Sequence, residues 1–333
     1  MPRVKTPKQL LPDPRLHYTE EDRRFATPEP VATYRAQRLQ CQTLAELGCG
    51  AGFQTIAFAK TCQQVYAVEK DPHKIEHAKY NAQVLGLKNI TFICGDALDP
   101  SVVTQLKSCE MVFCDTERLP GETRRTLDTL QPDPRQVLST YLAITQNIAI
   151  EVPPHLSETL LDCEREYLSL NGKLNRLTLY FGRLKQTEKS VVLLPENERL
   201  IYTAKKPVTV PHFPPEAKYL YEINPAVVLA GLYGELDYAF FIHQEKPYAF
   251  SKDLKPSLFL RAYRILTTCV VDPLVIQKTL QQMGTGKVLL RYKIDPQVYW
   301  KERKQYEQGL SGGRKIHLFV FDQAVLCEEV DGG

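Results

Sequence analysis

The residues best spaced for chemistry are Glu46 and the glycines at 48, 50 and 52 in Thr43-Leu-Ala-Glu46-Leu-Gly48-Cys-Gly50-Ala-Gly52. Glycines at alternate positions let the backbone turn sharply and come close to a ligand. Glu69 lies 19 positions after Gly50 and ends Gln64-Val-Tyr-Ala-Val-Glu69. A carboxylate at the tip of the second strand of such a unit receives two vicinal ribose hydroxyls on one bidentate acceptor. Asp96 follows a third apolar run, Asn89-Ile-Thr-Phe-Ile-Cys, and Asp115 a fourth, Glu110-Met-Val-Phe-Cys114. A dinucleotide fingerprint needs a glycine three residues after the second one. Position 53 is Phe, so the pattern is acidic-x-Gly-x-Gly-x-Gly instead.

These side chains need a scaffold of alternating strands and helices. Thr43 onward reads as a buried strand, the glycines as a turn, and Phe53 to Lys60 as a helix with Ile56, Ala57 and Ala59 apolar. Asp71-Pro72 is an N-cap followed by a proline at the first helical position, and Gly86 closes that helix. Further helices are expected from Asp99 to Leu106 and from Asp133 to about Gln146, with a fifth strand, Asn147-Ile-Ala-Ile-Glu151-Val, ended by Pro153-Pro154. A short helix is expected from His155 to Leu161. Asn171-Gly172 between two alternating runs, Glu166 to Tyr180, is a strong hairpin signal.

Ahead of the first strand, residues 1–22 read as an extended arm. Thr27-Pro28 opens a helix whose Val31, Tyr34 and Leu39 face the core while Arg35 and Arg38 point elsewhere. Ser190 to Leu194 and Arg199 to Tyr202 are expected strands, Pro211 to Pro215 a boundary, and Ala226 to about Leu236 an apolar helix. From Lys255 the order is strand, helix, strand, helix, strand, over 259–271, 273–283, 288–294, 296–308 and 316–321. The expected organisation is thus an arm and leading helix over 1–40, a nucleotide-type α/β domain over 41–186, a connecting region over 187–254, and an α+β appendage over 255–333.

Apolar residues at 43% and charged residues at 24% are those of an ordinary globular protein. No apolar run reaches the length of a membrane span, and Met1 to Lys8 lacks the apolar core of a signal peptide, so a cytoplasmic location is expected. Nine cysteines without a Cys-x-x-Cys pair read as reduced and structural. His73 and His77 share a helix face with no third ligand nearby, so no metal is expected. Between Lys255 and Lys315 there are 12 Lys and Arg against 4 Asp and Glu, a net of +8, which leaves −5 for the rest of a chain whose total is +3. That asymmetry suggests a polyanionic partner at one end.

The acidic-glycine pattern followed by Glu69 and Asp96 resembles that of S-adenosylmethionine (SAM) methyltransferases. The chain resembles in particular a prokaryotic methyltransferase family with a C-terminal THUMP-like domain. The resemblance runs through Thr27-Pro28-Glu29, Tyr34-Arg35-Ala36, the SAM turn, Glu164 to Gly182, Tyr219 to Gly231 and Tyr263-Arg264. It is similar more distantly to trimethylguanosine synthase and tRNA guanine methyltransferases. The resemblance implies a Rossmann-like, seven-stranded class I methyltransferase sheet whose hairpin supplies strands six and seven. It implies SAM contacts at Glu46, Gly48, Gly50, Gly52, Glu69, Lys70, Asp96, Ala97 and Asp115, with Asp96 facing the adenine amino group. Where the family has Asp-Pro-Ala-Arg-Arg, this chain has Asp115-Thr116-Glu117-Arg118.

The activity implied is methyl transfer to RNA, a guanine of tRNA first, with Asp115, Glu117 and Arg118 in catalytic positions. The absence of a Pro-Pro-aromatic turn favours a ring nitrogen over the exocyclic amine. Phe25 or Tyr34 would stack on the base, while Arg124, Arg125, Lys287 and Arg291 would meet the RNA. A methyltransferase for a small molecule or protein, and a SAM-sensing RNA-binding scaffold without catalysis, are the alternatives.

Overall fold

The structure is a computed structural model and describes residues 13–118, 126–156 and 161–330. The chain divides into two compact units, Met1–Ile201 and Tyr202–Gly333. In the first, strands β1 (Thr43–Leu47), β2 (Gln64–Glu69), β3 (Ile90–Cys94), β4 (Met111–Asp115) and β5 (Ile148–Val152) are mutually parallel. The hairpin β6 (Glu164–Leu170) and β7 (Lys173–Tyr180) follows, with β7 antiparallel to both β5 and β6. Then come β8 (Lys189–Leu194) and β9 (Glu198–Ile201), giving the order β9-β8-β6-β7-β5-β4-β1-β2-β3. The expected seven-stranded arrangement is present, and two further strands extend it to nine. The region 187–254 is accordingly no separate connector: its first two strands complete this sheet and the remainder belongs to the second unit.

The helices are α1 (Glu20–Phe25), α2 (Glu29–Arg38), α3 (Phe53–Ala59), α4 (Pro72–Val84), α5 (Pro100–Gln105) and α6 (Pro134–Tyr141). Asp71, Asp99 and Asp133 cap the last three, each accepting a backbone N–H two residues on, with proline at the first helical position. Each such cap contributes about 1 kcal/mol. Helix α6 stops earlier than its apolar pattern suggests, and Thr145 Oγ1 just beyond it donates to the Glu110 carbonyl at 2.7 Å. Ala32, Ala36, Leu39, Phe58 and Phe113 build the core between α2, α3 and the sheet. The arm is anchored rather than loose where described. Asn81 accepts the His17 N–H at 2.6 Å and donates to the His17 carbonyl at 2.9 Å, and Thr19 caps α1. The helix expected over 155–161 falls mostly outside the described residues.

Among the described residues the second unit is an eight-stranded sheet with three α-helices. Its strands are β10 (Val208–Val210), β11 (Tyr219–Ile223), β12 (Ala239–His243), β13 (Lys246–Ser251), β14 (Leu260–Cys269), β15 (Thr285–Leu290), β16 (Arg314–Val320) and β17 (Ala324–Glu329). They lie in the order β10-β12-β13-β11-β14-β17-β16-β15. Helices α7 (Pro225–Ala230), α8 (Pro273–Gln282) and α9 (Tyr299–Glu307) complete it. Helix α7 is shorter than expected because Gly231 takes a left-handed conformation, φ +70°, and ends it. An aromatic cluster of Phe213, Phe241, Tyr248, Phe319 and Phe321 forms one core, and Ile276, Leu280, Val288 and Ile316 another.

Candidate active site

A cleft of about 1120 Å³ opens at the carboxyl edge of β1 to β5. The location follows from topology, since parallel strands leave a crevice beyond their carboxyl ends. Glu46, Gly48, Gly50, Glu69, Lys70, Asp96, Ala97, Asp115, Glu117 and Phe25 all line it. Gly48, Gly50 and Gly52 have φ of +82°, +54° and +84°, a region that disfavours any side chain. A Cβ on Gly48 would stand 3.1 Å from the Asp115 carbonyl oxygen, and one on Gly52 3.0 Å from Ala78 Cβ. Gly52 therefore serves the packing of α3 on α4 and lies outside the cleft lining. At Gly50 a Cβ would meet nothing within 4 Å, which is open ground for a ligand.

Glu69 Oε2 accepts the Gly50 N–H at 2.9 Å, and its Oε1 accepts the Asp71 N–H at 3.0 Å. This pins the glycine turn to the tip of β2 while leaving lone pairs for hydroxyls. Glu46 is buried, accepts Thr55 Oγ1 at 2.6 Å, and is pushed up to about 8 by burial. Asp96 is exposed and accepts the Leu98 N–H at 2.8 Å. Asp115, half-buried, titrates above the ordinary carboxylate range because of desolvation and then the neighbouring Glu151 charge.

Glu151 was missed as a site residue, although it lies next to the carboxyl end of the fifth strand. It pairs with Asp115 in the parallel register and lines the same cleft. One carboxylate oxygen takes the Arg35 guanidinium and the other lies 2.6 Å from Arg176 Nε. Arg35 is only 2% exposed, stacks 4.6 Å from the Phe113 ring centroid, and donates to Gln54 Oε1 at 2.8 Å. The expectation that Arg35 and Arg38 point away from the core is thus wrong. Helical periodicity takes charge as a mark of solvent, yet both guanidiniums turn inward to buried carboxylates. Arg38 pairs with Glu164 at 2.9 Å and with Glu166, beneath the ring of Tyr180 at 3.7 Å.

Tyr34 is not placed for stacking. Its hydroxyl donates to Glu166 at 2.8 Å and its ring packs with Val31, Leu168 and Val192. Phe25, 57% exposed, stands at the cleft wall. Glu117 and Arg118 form a two-residue strand paired with Leu130 and Gln131. Arg124 and Arg125 lie outside the described residues. In the second unit Lys287 is exposed, whereas Arg291 is spent internally, donating to His317 Nδ1 at 2.9 Å beside Glu222.

The lining fits SAM. Nine Asp and Glu side chains against four Lys and Arg face a molecule that carries a sulfonium and an ammonium. The glycine turn and the β2 carboxylate are the residues that would hold its adenosine. Among the described residues no group of three or more His, Cys, Asp or Glu is placed to hold a metal ion.

Comparison with known proteins agrees. Residues 41–164 match the methyltransferase domain family. An uncharacterized S-adenosylmethionine-dependent methyltransferase of Mycobacterium tuberculosis is 24% identical over 293 residues, covering 84% of this chain and 78% of that protein. Trimethylguanosine synthase of Schizosaccharomyces pombe is 40% identical over 79 residues, 22% of this chain and 33% of that protein. The crystal structure of a protein of Porphyromonas gingivalis W83, provisionally named a methyltransferase, superposes with a TM-score of 0.79 at 15% identity, covering 94% of this chain and 83% of that one. The first unit therefore has the class I methyltransferase fold. The chain is a SAM-dependent methyltransferase, carrying a second α+β unit after its methyltransferase domain.

Proposed function

We propose that the methyl acceptor is a base nitrogen of RNA, a guanine of tRNA, at a ring nitrogen in preference to the exocyclic amine. The observation that carries this is the set of exposed lysines on the second unit, which we take as THUMP-like. Lys278, Lys287, Lys293, Lys301 and Lys304 are exposed and make no ion pair among the described residues. Such ammonium groups neutralise phosphates and supply the sequence-blind part of RNA affinity. Likeness to trimethylguanosine synthase over 79 residues supports the same direction. We place the reaction in the cytoplasm, where the nine free thiols stay reduced.

When bound, SAM would supply an electrophilic methyl carbon to the acceptor nitrogen's electron pair, the C–S bond breaking as the C–N bond forms and S-adenosylhomocysteine leaving. Asp115, at the edge of β4, accepts the N–H of the acceptor and takes its proton. Glu151, clamped by Arg35 and Arg176, holds its register beside Asp115. Phe25 offers an aromatic face to the base. Alignment of this kind supplies up to about 7–11 kcal/mol.

The acidic cleft favours a second reading, an uncharged or cationic small-molecule or protein acceptor. Mass spectrometry of RNA nucleosides from a deletion strain separates the two. Loss of one methylated guanosine is expected, and an unchanged profile in every RNA class would refute the RNA reading.

A further inference from the structure

The hairpin β6–β7 contains an irregularity beside the cleft. Leu168 pairs with Arg176, but the next residue, Ser169, pairs with Leu174, so Asn175 is an extra residue in β7. A bulge of this kind leaves one residue unpaired in the ladder and re-aims side chains, which is how Asn175 and Arg176, neighbours on a strand, both come to line the cleft. Each carries a buried polar atom without a hydrogen-bond partner among the described residues, Asn175 Oδ1 and Arg176 Nε. Arg176 Nε lies 2.6 Å from Glu151 Oε1 as an ion pair but without hydrogen-bond geometry. Glu151 thus occupies Arg176 Nε, while Asn175 Oδ1 has no partner among the described residues; a buried polar atom left unsatisfied costs about 1–3 kcal/mol, so Asn175 beside the cleft points to a ligand group that satisfies it.

We propose that this bulge is the base-reading element of the cleft: Asn175 Oδ1 and Asp115 accept, Arg176 donates, and together they select the Watson–Crick edge of guanine. The inference rests on RNA being the acceptor. Guanine shows two N–H groups and one carbonyl along that edge, which matches two acceptors and one donor. Uracil has one N–H between two carbonyls, and adenine and cytosine each show an amine with no ring N–H. Asp115 and Arg176 face the same cleft, and Glu151 connects them, opposite Asp115 in register and paired with Arg176. The donor is thereby held on a packed strand by a second carboxylate, so little order is lost when the base arrives.

The test uses the full-length protein, methyl-labelled SAM, and total RNA from a strain lacking the gene, with digestion to nucleosides. The wild type is expected to label guanosine alone. Asn175→Ala and Arg176→Lys should bind SAM within about twofold of wild type, lower kcat/KM for RNA by at least fivefold through KM, and spread label to other nucleosides. Arg176→Lys keeps a cation beside Glu151, which protects the fold. Wild-type label on adenosine, cytidine or uridine would overturn the guanine selection and leave RNA methylation standing. Variants with wild-type kcat/KM and selectivity would overturn the role of the bulge. Label in no RNA, with SAM still bound, would overturn the RNA reading and this inference together.

Discussion

Asp115, Glu46 and Glu151 stand within one cleft, and their mutual repulsion is relieved by Arg35 and Arg176 and by any cation that enters. Burial raises Glu46 to about 8, and burial with the Glu151 charge raises Asp115. The ionised forms attract the sulfonium, so SAM affinity should rise as pH increases from 6 to 8.5, with proton release on binding. Calorimetry in buffers of different ionisation enthalpy measures both, and a flat affinity with no proton release would contradict the assignment. The same shift works against the free fold. A carboxylic acid raised above its unfolded value of 4.5 stabilises fully below that value, and the benefit is lost as pH climbs through 8. Glu46→Gln should therefore melt higher than wild type at pH 9 and close to it at pH 4.5. The acids Glu46, Glu69, Asp96 and Asp115 could be read in the sequence because each lies at or just beyond the carboxyl end of an apolar strand. Glu151, Asn175 and Arg176 could not, since their significance depends on register between strands far apart in the chain.

The glycine turn and the helix α2 set the shape of the site at the level of elements. Gly48→Ala would place a Cβ 3.1 Å from the Asp115 carbonyl at φ +82°. It should cost about 1–3 kcal/mol and weaken SAM binding more than tenfold, as thermal melts and titration would record. Helix α2 is fixed to the sheet through Arg35 on Glu151 and Arg38 on Glu164 and Glu166. Arg35→Met leaves Glu151 with Arg176 alone, a change expected to cost about 3–5 kcal/mol and to lower the melting temperature markedly. A melting point within 1 °C of wild type, on the order of a surface change, would contradict the clamp. In the first unit the strands were legible from their apolar runs and helix α4 from its Asp-Pro cap, whereas α1, β10 to β13 and β17 carried no pattern that was read. The two added strands β8 and β9 were seen as strands but not as part of the first sheet, because apolar alternation does not say which edge a strand joins.

Across the whole molecule, charge is less lopsided than the window from Lys255 to Lys315 suggests. Strand β17 brings Glu328 to Arg264 and Arg314 at 3.0 and 2.8 Å, and Glu329 to Lys315 and Arg261 at 3.7 and 3.4 Å. Half of the 12 cations counted there are thus paired or internal, with Arg303 held by Glu307 and Arg291 beside Glu222. The remaining exposed lysines set the expectation for RNA. Binding should weaken steeply with salt, and Lys287→Glu with Lys301→Glu should reduce the salt slope by about 2. Filter binding at several salt concentrations reads this, and an unchanged slope would remove the second unit from RNA contact. The measurement that reaches the central claim most directly is titration of the full-length protein and its Glu69→Ala variant with SAM. Wild type should bind one equivalent, and the variant should lose at least tenfold in affinity. Absence of binding to wild type at millimolar SAM, or equal affinity in the variant, would contradict a cofactor seated on the glycine turn and the β2 carboxylate.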